Sequence, residues 1–343
     1  VVRSDESRRV IVDDILEESD AYRRGLRYGD EVARFGGRSI GSVNALKNAL
    51  GIYPREWRVP LSFARHGERY DVMVRLRGVH AQAELEEMVQ GRSRERRARP
   101  MPKPGTPPKE GDPPQQPEPK PDAKPAHPPA AMPDIVKQHF IAKPGYVNYY
   151  FNQFEQDRVW KALVARGDYA GTGDVWTLDG DTAMKEPFTL EFTDKESSIK
   201  LPSGQLKIGL AAGLSNRAEP PGSGGLLVAL ALWRRFLMEG PQKFGEVYYL
   251  GTAPLVGHEG LVDVLAASYG DVECRFLFDP DKGHLVAMEL YPQQDVDPCE
   301  LYFGEFKEVE GHMLPGRIEA RHGDEFNYVF QCKQYGFEKR MKD

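Results

Sequence analysis

Proline decides how this chain can be organised. Between Pro100 and Pro133, 14 of 34 residues are proline, against 27 in all 343 residues. Proline fixes φ and removes the amide donor, so neither helix nor sheet can run through this stretch. The remaining Lys, Glu, Gln, Ala and Gly offer too little apolar surface to offset the entropy of ordering. What is left is an extended, semi-rigid spacer of at most ~100 Å, at ~3.1 Å per residue. Arg92-Ser-Arg-Glu-Arg-Arg-Ala-Arg99 precedes it, without interleaved aromatic residues for base stacking, and reads as the solvated end of the tether. The chain therefore divides into 1–80, a linker region 81–134 (short helix, Arg-rich run, proline-rich disordered stretch), and 135–343.

Charge follows the same division, with net +3 over 1–80, zero over 81–134 and −9 over 135–343. An acidic domain of that size repels phosphates, so nucleic acid is not an expected partner. With 40% hydrophobic and 29% charged residues, collagen-like, wholly disordered and coiled-coil readings fail. The longest apolar stretch, Gly224 to Trp233, falls far short of the ~20 residues a membrane helix needs, so no transmembrane segment is expected. Opening on Val1 with no leader-like stretch, the sequence reads as a piece of a longer protein. Three cysteines, Cys274, Cys299 and Cys332, are too few for a disulfide scaffold and read as buried small hydrophobes. No zinc framework is present, and neither a metal nor a cofactor is expected.

In the first segment, Val10-Ile-Val12 reads as a strand. Ser19 or Asp20 then caps a one-turn helix ending at Gly25. Glu31 to Phe35 is a second strand, followed by a Gly36-Gly37 turn. Val43, Leu46, Ala49 and Leu50 recur at helical spacing, and Arg58–Phe63 with Tyr70–Leu76 closes the unit as a strand pair. The series Ser19-x-Ala21-x-x-x-Gly25-Leu26-x-x-Gly29-Asp30-x-Val32, then Ile40 and the Leu46 helix, resembles a bacterial PDZ domain of the kind attached to HtrA-like envelope serine proteases. Asp20 stands where that family often has proline, and Gly36 where it has Asn-Gly. The resemblance implies a small β-barrel or sandwich with two helices. It also implies capture of peptide C-termini or unfolded segments by strand addition, at Val1, Val2, Val43, Leu46, Lys47 and Leu50. Val1-Val2 would be all that remains of the strand beside the carboxylate-binding loop. It further implies a protease domain upstream and an envelope, periplasmic or secreted location.

In the last segment, Glu155 to Ala165 reads as an amphipathic helix. The period then changes to two in Asp174–Leu178, Phe188–Phe192 and Ser198–Leu201. Leu226 to Met238 is one strongly apolar helix. Strands resume at Glu246–Leu250, Leu261–Ala267, Glu273–Phe278, Leu285–Tyr291, Glu300–Phe306, Pro315–Ala320 and Phe326–Gln331. This is an α+β pattern, an antiparallel sheet long enough to curl around a helix. Tyr249-Leu-Gly-Thr252, Phe276-Leu-Phe-Asp-Pro-Asp-Lys-Gly-His-Leu285 and Phe303 to Ile318 resemble the LolA/LolB-like lipoprotein-carrier family, whose curved half-barrel shelters an apolar cavity. The resemblance implies an acyl chain of a lipid or lipoprotein held at Leu227, Leu230, Trp233 and Leu237. The opposing reading is that the helix fills the hollow and leaves no pocket.

Other motifs carry no chemistry. Pro221-Gly-Ser-Gly-Gly225 resembles the turn around a chymotrypsin-like nucleophile, but no suitable histidine precedes it, and Ser223 reads as a helix cap. Asp279 and Asp281 lack the later ligands of an EF-hand, and Asp179-Gly180-Asp181 is a turn. His258-Glu259 and His322 to Glu325 read as solvated loops. No catalytic residue is assigned. The expectation is a multidomain chain, a peptide-binding module tethered to an apolar-ligand or partner domain.

Overall fold

Two sheets grow from the two ends of the chain in a computed structural model that describes residues 1–7, 9–76, 133–144, 146–210, 214, 218–293, 296–323 and 325–339. The short helix, the arginine run and the proline-rich linker expected within 81–134 lie outside the described residues. In the first unit, β1 (Val2–Ser4), β2 (Val10–Val12), β3 (Glu31–Phe35), β5 (Arg58–Arg65) and β6 (Glu68–Arg75) pair in that order, and β4 (Arg38–Ser39) joins β3. Val10, Val12, Val32, Phe35, Leu61 and Phe63 form its core with Leu46 and Ala49 of the Val43–Leu50 helix. The Gly29-Asp30 pair has a structural use. Asp30 is buried, accepts from Arg27 N at 2.7 Å and binds Arg65 through both oxygens at 2.7 Å. Gly36 sits at φ +59°, and any β-carbon there would collide with Tyr53, whose hydroxyl donates to Gly36 O at 3.0 Å.

The second unit is mostly β, a large open antiparallel sheet with few helices. Its strands are β7 (Val175–Thr182), β8 (Pro187–Phe192), β9 (Glu196–Leu201), β10 (Gly204–Gly209), β11 (Glu246–Pro254), β12 (Leu261–Tyr269), β13 (Val272–Phe278), β14 (Leu285–Tyr291), β15 (Cys299–Gly304), β18 (Arg317–His322) and β19 (Glu325–Glu338). Their order is β10-β9-β8-β7-β19-β18-β15-β14-β13-β12-β11, so β10 and β11 are its edges. A separate hairpin, β16 (Lys307–Val309) with β17 (His312–Leu314), fills the gap between the two strands expected at Glu300–Phe306 and Pro315–Ala320. The Leu226–Glu239 helix lies against one face of the sheet, with Phe236 stacked on Phe276 at 3.9 Å and Trp233 on Phe303 at 5.2 Å. A second helix, Tyr150–Val164, packs Val159 and Leu163 into the same core. It begins five residues before the predicted start, because exposed Phe151 and Phe154 hide its amphipathic pattern.

The face of the sheet away from the helix carries charge. Arg275, Glu289, Glu300 and Arg321 are directly opposite one another across β13, β14, β15 and β18. The first unit sits on this ladder rather than apart from it. Arg75 reaches Glu289 at 2.7 Å, Arg58 reaches Glu300 at 3.1 Å, and Arg24 reaches Asp297 at 2.9 Å. Trp57 Nε1 donates to Thr252 O at 3.1 Å. The orientation of the two units, which the sequence left open, is marked by a buried ion-pair network that joins them. The sequence concealed it because each residue of the ladder looks like the solvated half of an alternating strand.

Candidate ligand site

The apolar helix leaves little of the hollow empty. Leu227 and Leu230 are fully buried, and Trp233 and Leu237 almost so. Trp233 also meets Trp176 edge-on at 5.8 Å. Arg234, 2% exposed on the same helix, donates to Asp194 at 3.0 Å and Asp174 O at 2.7 Å, pinning the helix to the β7 side. These four expected ligand contacts are thus brought together on one helix, already packed against protein.

Space opens instead where the helix begins. Gly225, at φ +104°, turns the chain into the helix, a conformation open mainly to glycine. Ser223, buried, receives Leu226 N at 3.2 Å and donates to Pro220 O at 2.6 Å. The hydroxyl is therefore occupied as a cap, as the sequence suggested. His322 lies beside Gly224, but its Nδ1 faces Pro298 O at 3.4 Å and makes no hydrogen bond with Ser223 among the described residues. Above this turn the β9–β10 hairpin arches over Leu226. Between them is a cavity of about 230 Å³ lined by Ile199, Leu201, Leu206, Pro220, Leu226 and Tyr328, with Ser203, Gly204 and Gln205 at the rim. The sequence did not point to this site. β10, Gly-Gln-Leu-Lys-Ile-Gly, is short and bounded by glycines, and Tyr328 comes from the far end of the chain.

The peptide-groove residues are only partly assembled. Among the described residues β1 is an edge strand pairing with β2 alone, with Val2 opposite Val12, and the Val43–Leu50 helix touches it. Val1 and Lys47 are exposed, Leu50 is 41% exposed, and Val2 and Val43 are half-buried against the core. Leu46 is in the core itself. Of the remaining motifs, Asp279 accepts from Asp281 N and Lys282 N at 2.9 and 2.8 Å, which holds the hairpin turn, and lies 3.3 Å from His258 Nε2. The three cysteines are buried and unpaired with one another. Burial pushes the thiols of Cys274, Cys299 and Cys332 up, the last to about 11, so they are poor nucleophiles.

The ion-pair ladder shifts its own carboxyls in opposite directions. Burial alone would raise the Glu289 carboxyl, but Arg75 and Arg275 outweigh it and hold it at about 2. Burial, with Glu289 opposite, raises Glu300. The Tyr291 and Tyr302 hydroxyls donate to these carboxylates at 2.6 and 2.7 Å.

No family model matches the chain, and no curated protein matches it. Solved structures similar to it include a DUF1329 family protein from Desulfovibrio piger, 11% identical, TM-score 0.32, covering 53% of this chain and 92% of that one. A LolA superfamily protein from Nitrosomonas europaea is 9% identical, TM-score 0.34, covering 53% and 94%. A Vibrio parahaemolyticus domain named for outer membrane lipoprotein sorting is 11% identical, TM-score 0.29, covering 55% and 95%. Nothing in these comparisons supports the PDZ or protease part of the sequence resemblance. At TM-scores this low the cavity geometry, not the likeness, has to carry a functional reading.

Proposed function

We propose that the sheet domain binds an apolar ligand, in the manner of a lipid or lipoprotein carrier, at the mouth formed by the β9–β10 hairpin and the start of the Leu226–Glu239 helix. The observation that carries this is the cavity of about 230 Å³ with Ile199, Leu201, Leu206, Leu226 and Tyr328 in its wall. An apolar cavity of about 150 Å³ takes up a benzene ring, whereas drug-sized ligands occupy about 300–1,000 Å³. The volume here suits the end of one alkyl chain, and a whole two-chain lipid would require the hairpin to open. The proposed cargo site thus shifts from Leu227, Leu230, Trp233 and Leu237, which do not line the cavity, to Leu226 in the helix's first turn. Displacement of a fluorescent medium-chain fatty acid is the test. The chain should bind it, and Leu206→Trp, which fills the cavity, should abolish binding without unfolding the protein. Equal binding by the variant would refute the site.

A second reading is favoured by the β1 edge strand beside the Val43–Leu50 helix, the arrangement a PDZ-like groove requires. In it, Val1, Val2, Val43, Lys47 and Leu50 flank an added strand and Leu46 supports it from the core. Titration with hydrophobic C-terminal peptides, followed by amide shifts of Val2 to Ser4, decides this reading. Shifts confined to β1 and the helix support it, and none at millimolar peptide removes it.

A further inference from the structure

The 20 residues from Ile135 to Phe154 contain no aspartate or glutamate, although the domain around them is strongly acidic. They include Lys137 and Lys143 and six aromatic residues: Phe140, Tyr146, Tyr149, Tyr150, Phe151 and Phe154. A stretch this apolar would ordinarily be core. Here Ile135 is 66% exposed, Val147 97%, Phe151 62% and Phe154 54%, and Phe140 and Ile141 are also exposed. The exposure is not that of a loose end. Asn152 exchanges two hydrogen bonds with the backbone of Tyr249 on the edge strand β11, at 2.8 and 2.9 Å, and Tyr149 donates to Val247 O at 3.3 Å. Phe151 and Phe154 therefore project from a fixed helix end. Lys143 lies over the Tyr149 ring at 4.1 Å, so its charge sits among the aromatic groups.

We infer that this face seats the protein on an anionic lipid surface, with Phe151, Phe154 and Val147 entering the headgroup layer and Lys137 and Lys143 facing lipid phosphates. Charge complementarity selects this occupant. Asp134 pairs with Lys137 at 2.9 Å at the edge of this face, which leaves it net cationic through Lys143 on an otherwise acidic domain, so it is attracted to anionic lipid while the rest of the domain is held off. Aromatic side chains beside lysine suit the water–lipid boundary, and no helix among the described residues is long and apolar enough to cross a membrane. This inference is independent of the alkyl cavity, whose residues lie elsewhere in the fold.

Flotation of the whole chain with vesicles tests it. Phosphatidylcholine vesicles containing phosphatidylglycerol should carry the protein up the gradient, and pure phosphatidylcholine vesicles should carry much less. Phe151→Ser with Phe154→Ser, and separately Lys137→Gln with Lys143→Gln, should each weaken binding about tenfold or more, and added salt should affect the parent chain more than the lysine variant. These side chains are exposed, so circular dichroism and thermal unfolding of the variants should match the parent. The cavity variant Leu206→Trp should float normally, which separates the two sites. No flotation with anionic vesicles, or flotation unaffected by either pair, overturns the inference. A dimer that dissociates in the phenylalanine variant, without any vesicle binding, assigns the face to a second copy of this chain instead.

Discussion

Glu289 and Glu300 stand directly opposite each other on neighbouring strands, an arrangement that costs energy unless cations intervene. Arg75 and Arg58 of the first unit supply them, beside Arg275 of the sheet. Removing one member of such a buried pair typically costs about 3–5 kcal/mol, because the other is left unpaired. Glu289→Gln should therefore lower stability by about that amount in denaturant unfolding. Acid reports the same residue. Its carboxyl titrates at about 2 in the fold against 4.5 when free, so its contribution is complete above pH 4.5 and is lost as pH falls toward 2. The parent chain should lose stability across that window, and the Gln variant should show a flatter acid limb. Asp20 makes a related point. Where the resembling family often has proline, this buried carboxylate accepts Arg75 N at 2.6 Å and pairs with Arg23 and Arg24, tying the one-turn helix to β6. The turn and cap were legible at Ser19, but the bond of Asp20 to Arg75 N was not, because Arg75 lies 55 residues away in sequence.

The Leu226–Glu239 helix was legible almost to its ends, since an apolar run broken only by Arg234-Arg235 before the final Glu239 and flanked by glycines has few alternatives to a buried helix. Its fate was less so. Trp233, expected to meet ligand, is wedged between Phe303 and Trp176, and Trp233→Ala should cost about 3–5 kcal/mol in unfolding experiments. Strand β19 shows the limit of period-two reading. It runs from Glu325 to Glu338, but a bulge between Cys332 and Gln334 resets the alternation, so only its first half was recognisable. β10 escaped notice altogether, and it is the edge strand that roofs the cavity. An edge strand opens more readily than a central one. Amides of β9 and β10 should exchange with deuterium faster than those of β13 and β14, and a bound alkyl chain should slow the hairpin selectively. Uniform exchange across the sheet would argue against the hairpin as the door.

At the scale of the whole molecule, composition suggested a linker between two units, but gave no sign that the units touch. Cross-strand pairing brought Arg275, Glu289, Glu300 and Arg321 into one row, and only the three-dimensional arrangement shows Arg58 and Arg75 closing over it. Small-angle scattering should show a radius of gyration that rises when Arg58 and Arg75 are both changed to alanine, while each unit keeps its secondary structure. Every residue lining the cavity belongs to the second unit, so the proposed cargo site draws on no side chain of the first. The most direct examination of that cargo site is a crystal soaked with a bromine-tipped medium-chain fatty acid. The bromine's anomalous peak should appear among Ile199, Leu206, Leu226 and Tyr328. A peak only at the protein surface, or none with the cavity filled by a rearranged hairpin, would contradict the account.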